Sequence, residues 1–291
     1  MEWPTLVLLA GCYLFWWVSV VFLPDLWLPG AVLSAALAMV LHSSLQHETL
    51  HGTTLLNQRL SAFLVSLPIG LFIPYGRFRD THLEHHRDSR LTDPYDDPES
   101  NFVDPGYWDR IGPVRRAVLS ANNTLAGRMA LGPAVGFYAF LRCDLRAIAR
   151  GDQGVIGAWL QHFVGLAVLA GLLWRFGAMP VWAYALSAYL GLSILKIRTF
   201  LEHRAHERAG GRTVIIEDRG PLAFLFLNNN FHAVHHCHPS LPWYAIPARY
   251  QAGKDGYLAR NDGYLYRSYA QVFARHFLRR KDPVAHPLWR R

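Results

Sequence analysis

Fifteen of the 291 residues are histidine, and nine of them fall into a pattern. His47-Glu48-Thr49-Leu50-His51-Gly52 forms one cluster, His82-Leu83-Glu84-His85-His86 a second and His232-Ala233-Val234-His235-His236 a third; His203 ends Thr199-Phe200-Leu201-Glu202-His203. On a helix, residues three and four apart share a face, so each cluster aims its imidazoles one way. Imidazole suits zinc, copper, iron and nickel, so the ligands alone do not name the metal. A structural zinc takes four ligands and a catalytic zinc three plus water, which makes nine rings too many for one ion. Two ions with four or five ligands each use the set. Glu48, Asp80, Glu84, Asp88, Glu202 and Glu207 are the acidic neighbours able to orient the rings from behind, as metal-bound histidines require. His42, His162, His206, His238, His276 and His286 lie outside the pattern and are read as non-ligands.

The elements that must position these rings are apolar. Residues 5–23 carry no charge, and nineteen residues of helix are about 28 Å long, close to the roughly 30 Å hydrocarbon core. The segment lacks a basic leader and a small-residue cleavage site, so it reads as a retained span rather than a signal peptide. Further runs cover 26–45, 155–174 and 178–195. Short joints at Pro24-Asp25 and Arg175-Phe176-Gly177 turn these four runs into two hairpins. Arginine is dense from Arg77 to Arg150 and again from Arg198 onward, which places both polar segments, and both termini, on the cytoplasmic side. Residues 60–75 are uncharged but contain Pro68, Gly70 and Pro74, and read as a re-entrant or surface-lying segment. The expected fold is an all-α integral membrane protein with four transmembrane helices and a cytoplasmic helical cap carrying the histidines, residues 1–291 forming one domain.

Composition agrees. The chain is 52% apolar and only 17% charged, against about 25% charged for an average soluble domain. Its net charge of +8 is placed between and after the apolar runs, which suits membrane topology and excludes a nucleic-acid binder as the leading class. Cys12, Cys143 and Cys237 are too far apart for a CxxC pair, so neither a disulfide framework nor a cysteine zinc site is expected.

HExxHG, then HxxHH, then HxxHH resembles the membrane fatty acid desaturase superfamily, which also holds carotenoid hydroxylases and ketolases. The similarity runs from about Gln46 to Tyr250 and includes Leu91-Thr92-Asp93-Pro94, Asp97-Pro98-Glu99-Ser100 and His238-Pro239-Ser240-Leu241-Pro242-Trp243-Tyr244. The resemblance implies a non-haem site of two iron ions, dioxygen as co-substrate, and electrons from a separate carrier such as a ferredoxin or cytochrome. It implies as ligands His47 and His51, then His82, His85 and His86, then His232, His235 and His236, with His203 at the place of a lone additional ligand. Where structurally known acyl desaturases have an asparagine reaching iron through water, four residues before that lone histidine, this chain has Thr199; the role is not carried over. Asn228, Asn229 and Asn230 offer a substitute or, equally, turn and capping residues.

The implied reaction is oxidation of an unactivated methylene, which no side chain performs; the metal supplies the chemistry and the protein orientation and dryness. A desaturated acyl chain is the expected product, with hydroxylation or ketolation of a carotenoid or lipid as the alternative within the superfamily. Two other classes stay open. His47-Glu48-x-x-His51 is also the zinc protease motif, with Glu48 as base. A non-catalytic metal-binding membrane protein is the third. The acidic loop 93–99 and the basic run Arg279-Arg280-Lys281 read as a solvated loop and a topology signal, with docking of the electron carrier as the alternative.

Overall fold

The computed structural model describes residues 2–52, 57–87 and 90–289. The protein is mostly helical. It divides into two compact units, Met1–Arg79 with Ala134–Ile194, and Asp80–Pro133 with Leu195–Arg291.

Among the described residues, the first unit holds three helices long and apolar enough to cross a membrane: α1 (Trp3–Val21), α2 (Leu23–Leu50) and α8 (Gln153–Phe176). A fourth, α9 (Val181–Thr199), covers the last predicted run but ends in Lys196 and Arg198, which dilute its apolar character. α1 and α2 meet at Phe22 and run antiparallel, Cys12 Sγ donating to Ala38 O and Tyr13 bonding His42. Trp27 is extended (φ −162°, ψ 90°) and kinks α2 beside Pro29. Its indole lies where a Cβ on Gly30 would stand, 2.1 Å from Cε3, so only glycine permits the fold-back. The 23 residues beyond the kink make about 34 Å of helix. His47 therefore stands in the last turn of α2 and His51 at its C-cap. The predicted run 26–45 stopped short of this because Gln46 to Glu48 are polar.

Small residues permit close packing of apolar helices. Ala31, Ala35, Ala36 and Ala38 line the buried face of α2, and a Cβ at Gly191 of α9 would sit 3.2 Å from Ala36 O. Trp16, Met39, Ile69, Leu169 and Tyr184 complete the core. Residues 60–75 do not form a span. α3 (Gln58–Val65) ends at Ser66, turns follow, and Ile69 is fully buried among apolar helices. Irregular backbone in such surroundings needs partners for its carbonyls. Four polar side chains supply them: Tyr13 Oη donates to Leu64 O (2.7 Å), Gln46 Nε2 to Val65 O (2.8 Å), Tyr184 Oη to Ile69 O (2.7 Å) and His162 Nε2 to Leu71 O (2.8 Å). This explains two of the histidines excluded as ligands.

The stretch Arg77–Arg150, read from sequence as one polar loop, is helical over much of its length. α4 (Tyr75–His85), α5 (Pro105–Arg110) and α6 (Pro113–Ala121) precede α7, a 25-residue helix from Leu125 to Ala149. Charged residues recur along α7 without breaking it, and Arg128 and Asp144 are buried with polar partners. Asp144 is buried and takes a two-pronged ion pair from Arg77 (2.9–3.1 Å) and the Trp159 indole N–H (2.8 Å).

The second unit takes the start of α7 and the end of α9, then short elements. Two-residue strands β1 (Ile215–Ile216) and β2 (Leu265–Tyr266) pair in parallel, Ile215 opposite Leu265. α10 (Pro221–Leu225), α11 (His232–Cys237), α12 (Ile246–Ala252), α13 (Lys254–Arg260) and α14 (Tyr269–His276) follow in chain order. Ile215, Phe231, Val234, Ile246 and Tyr250 form a core directly behind α11.

Candidate metal centre

Seven of the nine predicted ligands belong to the second unit, and they converge as two groups. His85, His203, His232 and His236 form one; His82, His86 and His235 form the other. The HxxHH spacing produces the split. At about 100° per residue, positions i and i+4 differ by about 40° and share a direction, while i+3 diverges by about 60° from i. His82 and His86 thus face one group and His85 the other; His232 and His236 face that second group and His235 the first. Each cluster gives two rings to one group and one ring to the other.

The facing nitrogens lie at coordination distances. Nε2 of His203 is 2.8 Å from that of His85 and 3.1 Å from that of His232, and His232 is 3.2 Å from His236. In the other group, His86 Nε2 is 3.0 Å from His82 Nε2 and 3.1 Å from His235 Nε2. Two nitrogens held at right angles about 2.1 Å from one ion are separated by about 3.0 Å. An imidazole set with every Nε2 turned inward at this spacing fits metal ions better than it fits hydrogen bonds among rings.

The opposite ring nitrogens decide the tautomer. His85 Nδ1 bonds Asp97 Oδ1 at 2.7 Å and His82 Nδ1 bonds Glu99 Oε1 at 2.9 Å. His232 Nδ1 bonds Asn229 Oδ1 at 3.2 Å, with Glu202 Oε1 3.7 Å away. An Nδ1–H given to a carboxylate leaves the Nε2 lone pair facing inward. Asp97 is itself buried and accepts from Thr92 N (2.8 Å) and Glu99 N (2.9 Å), so the acidic loop is built around its contact with His85. Burial pushes the His85 imidazolium down, but Glu99 and the Asp97 bond outweigh it, and its pKa stands raised at about 9. Burial alone would raise the Glu99 carboxyl; His85 and His82 instead hold it well below the usual carboxylate range. His203 and His232 are held well below the ordinary histidine value, by burial first and then by neighbouring imidazoles. Buried anionic charge around four imidazoles wants a cation at their centre.

His47 and His51 sit together in the first unit, ring centroids 5.1 Å apart. The six histidines excluded as ligands are all engaged elsewhere. Besides His42 and His162, His206 contacts Asp262, His238 bonds Tyr257 Oη (2.9 Å), His276 bonds Tyr266 Oη (2.9 Å) and His286 bonds Thr92 Oγ1 (3.1 Å). The acidic neighbours fare less well. Glu202 stands by His232, but Glu84 pairs outward with Arg87 and Arg90, Glu207 is exposed, and Asp88 lies outside the described residues. Asp97 and Glu99, part of the loop read as solvated, hold the rings instead. The aligned Asp97-Pro98-Glu99-Ser100 motif was the available signal. Asn229 braces His232 and Glu202 (3.1 Å), while Asn228 and Asn230 cap backbone at Trp243, Ile216 and Asp218. A cavity of about 40 Å³, lined by His203, Glu99, Glu202, Thr199, Arg128 and Lys281 among others, adjoins the four-imidazole group.

A mostly helical chain with three span-length apolar helices and seven converging imidazoles belongs to the class of membrane histidine-cluster proteins. The family model described as fatty acid desaturase matches residues 25–269, and the chain belongs to that family. No curated protein matches the chain.

Proposed function

We propose that the protein is a multi-pass membrane oxidoreductase that desaturates a fatty acyl chain at a pair of iron ions. The convergence of seven imidazoles in two groups, with carboxylates behind them, carries this reading. His85, His203, His232 and His236 would hold one ion. His82, His86 and His235 would hold the other, and the family resemblance makes His47 and His51 ligands as well. A bound iron pair would supply oxidation of an unactivated C–H bond by dioxygen, with two electrons from a separate carrier.

The chain's own residues do the rest. Asp97, Glu99 and Asn229 fix the tautomers of His85, His82 and His232, so that each presents a lone pair inward. α1, α2, α8 and α9 would form four spans, with the histidines and both termini on the cytoplasmic side, as the arginine distribution supports. The whole chain works as one desaturase-like domain in this account.

The test is mass spectrometry of total lipids from cells with and without the protein, using His235→Ala as control. A lipid that loses two hydrogens only with the intact chain supports desaturation. A lipid that gains oxygen redirects the account to hydroxylation or ketolation. An identical lipid change in the His235→Ala control removes His235 from the site.

A further inference from the structure

We propose that α6 and the segment Phe277–Arg280 form one membrane-surface face that binds anionic phospholipid headgroups. This rests on the reading of the protein as membrane-spanning.

Not one residue of α6 is buried. Four of its apolar positions, Val114, Ala117, Val118 and Ala121, follow the i, i+3, i+4, i+7 spacing of a single stripe, with half-buried Leu119 beside it, and Val114 is 77% exposed. Val114 stands uncovered at one end of this stripe, while Val118 is 36% exposed. Beside it lies a second uncovered apolar pair, Phe277 (47% exposed) and Leu278 (77%). Backbone bonds tie this segment to the joint between α6 and the start of α7: Ala126 N to Phe277 O (2.9 Å) and Lys281 N to Asn123 O (3.0 Å). Between them runs an open groove lined by Ser120, Ala121 and Thr124 on one side and Leu278 to Pro283 on the other.

The charges of this face are arginines. Arg279 and Arg280 have no acidic partner among the described residues, and both are exposed. Arg115 lies over the Tyr107 ring at 5.3 Å, and Arg116 donates to the carbonyls of Trp108 and Asp109. The acids nearby are Asp282, paired with Lys281 at 3.4 Å, and Asp109. Exposed aliphatic side chains flanked by guanidiniums are what the headgroup region selects: the apolar groups enter the acyl boundary and the cations meet phosphate. The hydroxyl of Ser120 adds a donor to the same groove. α6 is three residues from α7, and the chain carries its own span-length helices, so a bilayer is always at hand.

The test uses the full chain in nanodiscs of phosphatidylcholine with phosphatidylglycerol. Nitroxide labels are placed at Val118→Cys, Leu278→Cys and, as reference, Leu160→Cys on the exposed side of α8, each in a Cys143→Ser background. Labels at 118 and 278 that are open to oxygen and shielded from a water-soluble nickel relaxant support the proposal. Labels at 118 and 278 open to the nickel reagent, with 160 shielded, overturn it while leaving the membrane reading intact. A nickel-accessible label at 160 overturns the membrane reading and the proposal with it. In native mass spectrometry of the same particles, Arg279→Gln with Arg280→Gln should cut retained phosphatidylglycerol about five-fold for each charge removed. Unchanged retention, or a face that instead binds a soluble acidic protein in lipid-free detergent, contradicts the assignment.

Discussion

Replacing Asp97 by asparagine tests how the proposed metal ligands are oriented, at a buried joint. Asp97 Oδ1 faces His85 Nδ1 at 2.7 Å and Glu99 N at 2.9 Å, while Oδ2 accepts from Thr92 N at 2.8 Å. Both oxygens are thus acceptors, and an amide offers only one. If the amide oxygen keeps His85, its NH2 meets the Thr92 N–H, donor against donor. If it turns to Thr92, the NH2 meets His85 Nδ1 and forces the proton onto Nε2, which removes the lone pair from the metal. The charge assistance is lost in either orientation. Changes to such supporting residues cost about 10- to 100-fold in metal affinity, or about 1.4–2.7 kcal/mol. The assay is iron retained per purified chain across a chelator titration. Asp97→Asn should lose one of two irons at about a 10- to 100-fold lower chelator concentration, and the second iron later. Two irons released at the unaltered midpoint would refute the claim that Asp97 holds His85 in its binding tautomer.

Glu84→Gln should leave iron content unchanged despite lying inside the second cluster, because Glu84 points outward to Arg87 and Arg90 at 2.9 Å; inductively coupled plasma analysis checks it. Arg77→Ala leaves Asp144 buried without its two-pronged partner and should cost about 3–5 kcal/mol, read as a large drop in the unfolding midpoint in detergent. Tyr184→Phe deprives Ile69 O and the Trp16 indole of a partner and should cost about 1–3 kcal/mol by the same measurement. Gly30→Ala would drive a methyl into the Trp27 ring, and overpacking of this kind costs about 1–3 kcal/mol, with a lower midpoint as the readout.

Much of the site was legible because metal ligation leaves a periodic mark. The HxxHH spacing marks a helix face, and the seven second-unit imidazoles converge, but each cluster divides between two groups instead of aiming one way. Each of the six remaining histidines bonds a hydroxyl, carbonyl or carboxylate. The supporting acids were harder, since Asp97 and Glu99 come from a loop ten or more residues away and no periodicity connects them to His85 and His82. Charge density also misled: α7 carries arginines and Asp144 within an apolar helix, and only the tertiary partners Arg77 and Trp159 explain why. Pro68, Gly70 and Pro74 marked 60–75 as an interrupted segment, but the four side chains that satisfy its carbonyls come from four different helices. Such partners are invisible until the helices are packed.

The most direct test of the central claim is metal stoichiometry on the purified chain, with Mössbauer spectroscopy of iron-57 material. The account predicts two irons per chain in nitrogen-rich surroundings, reduced to about one by His203→Ala. A single zinc, or iron binding that survives combined loss of His85 and His235, would contradict it.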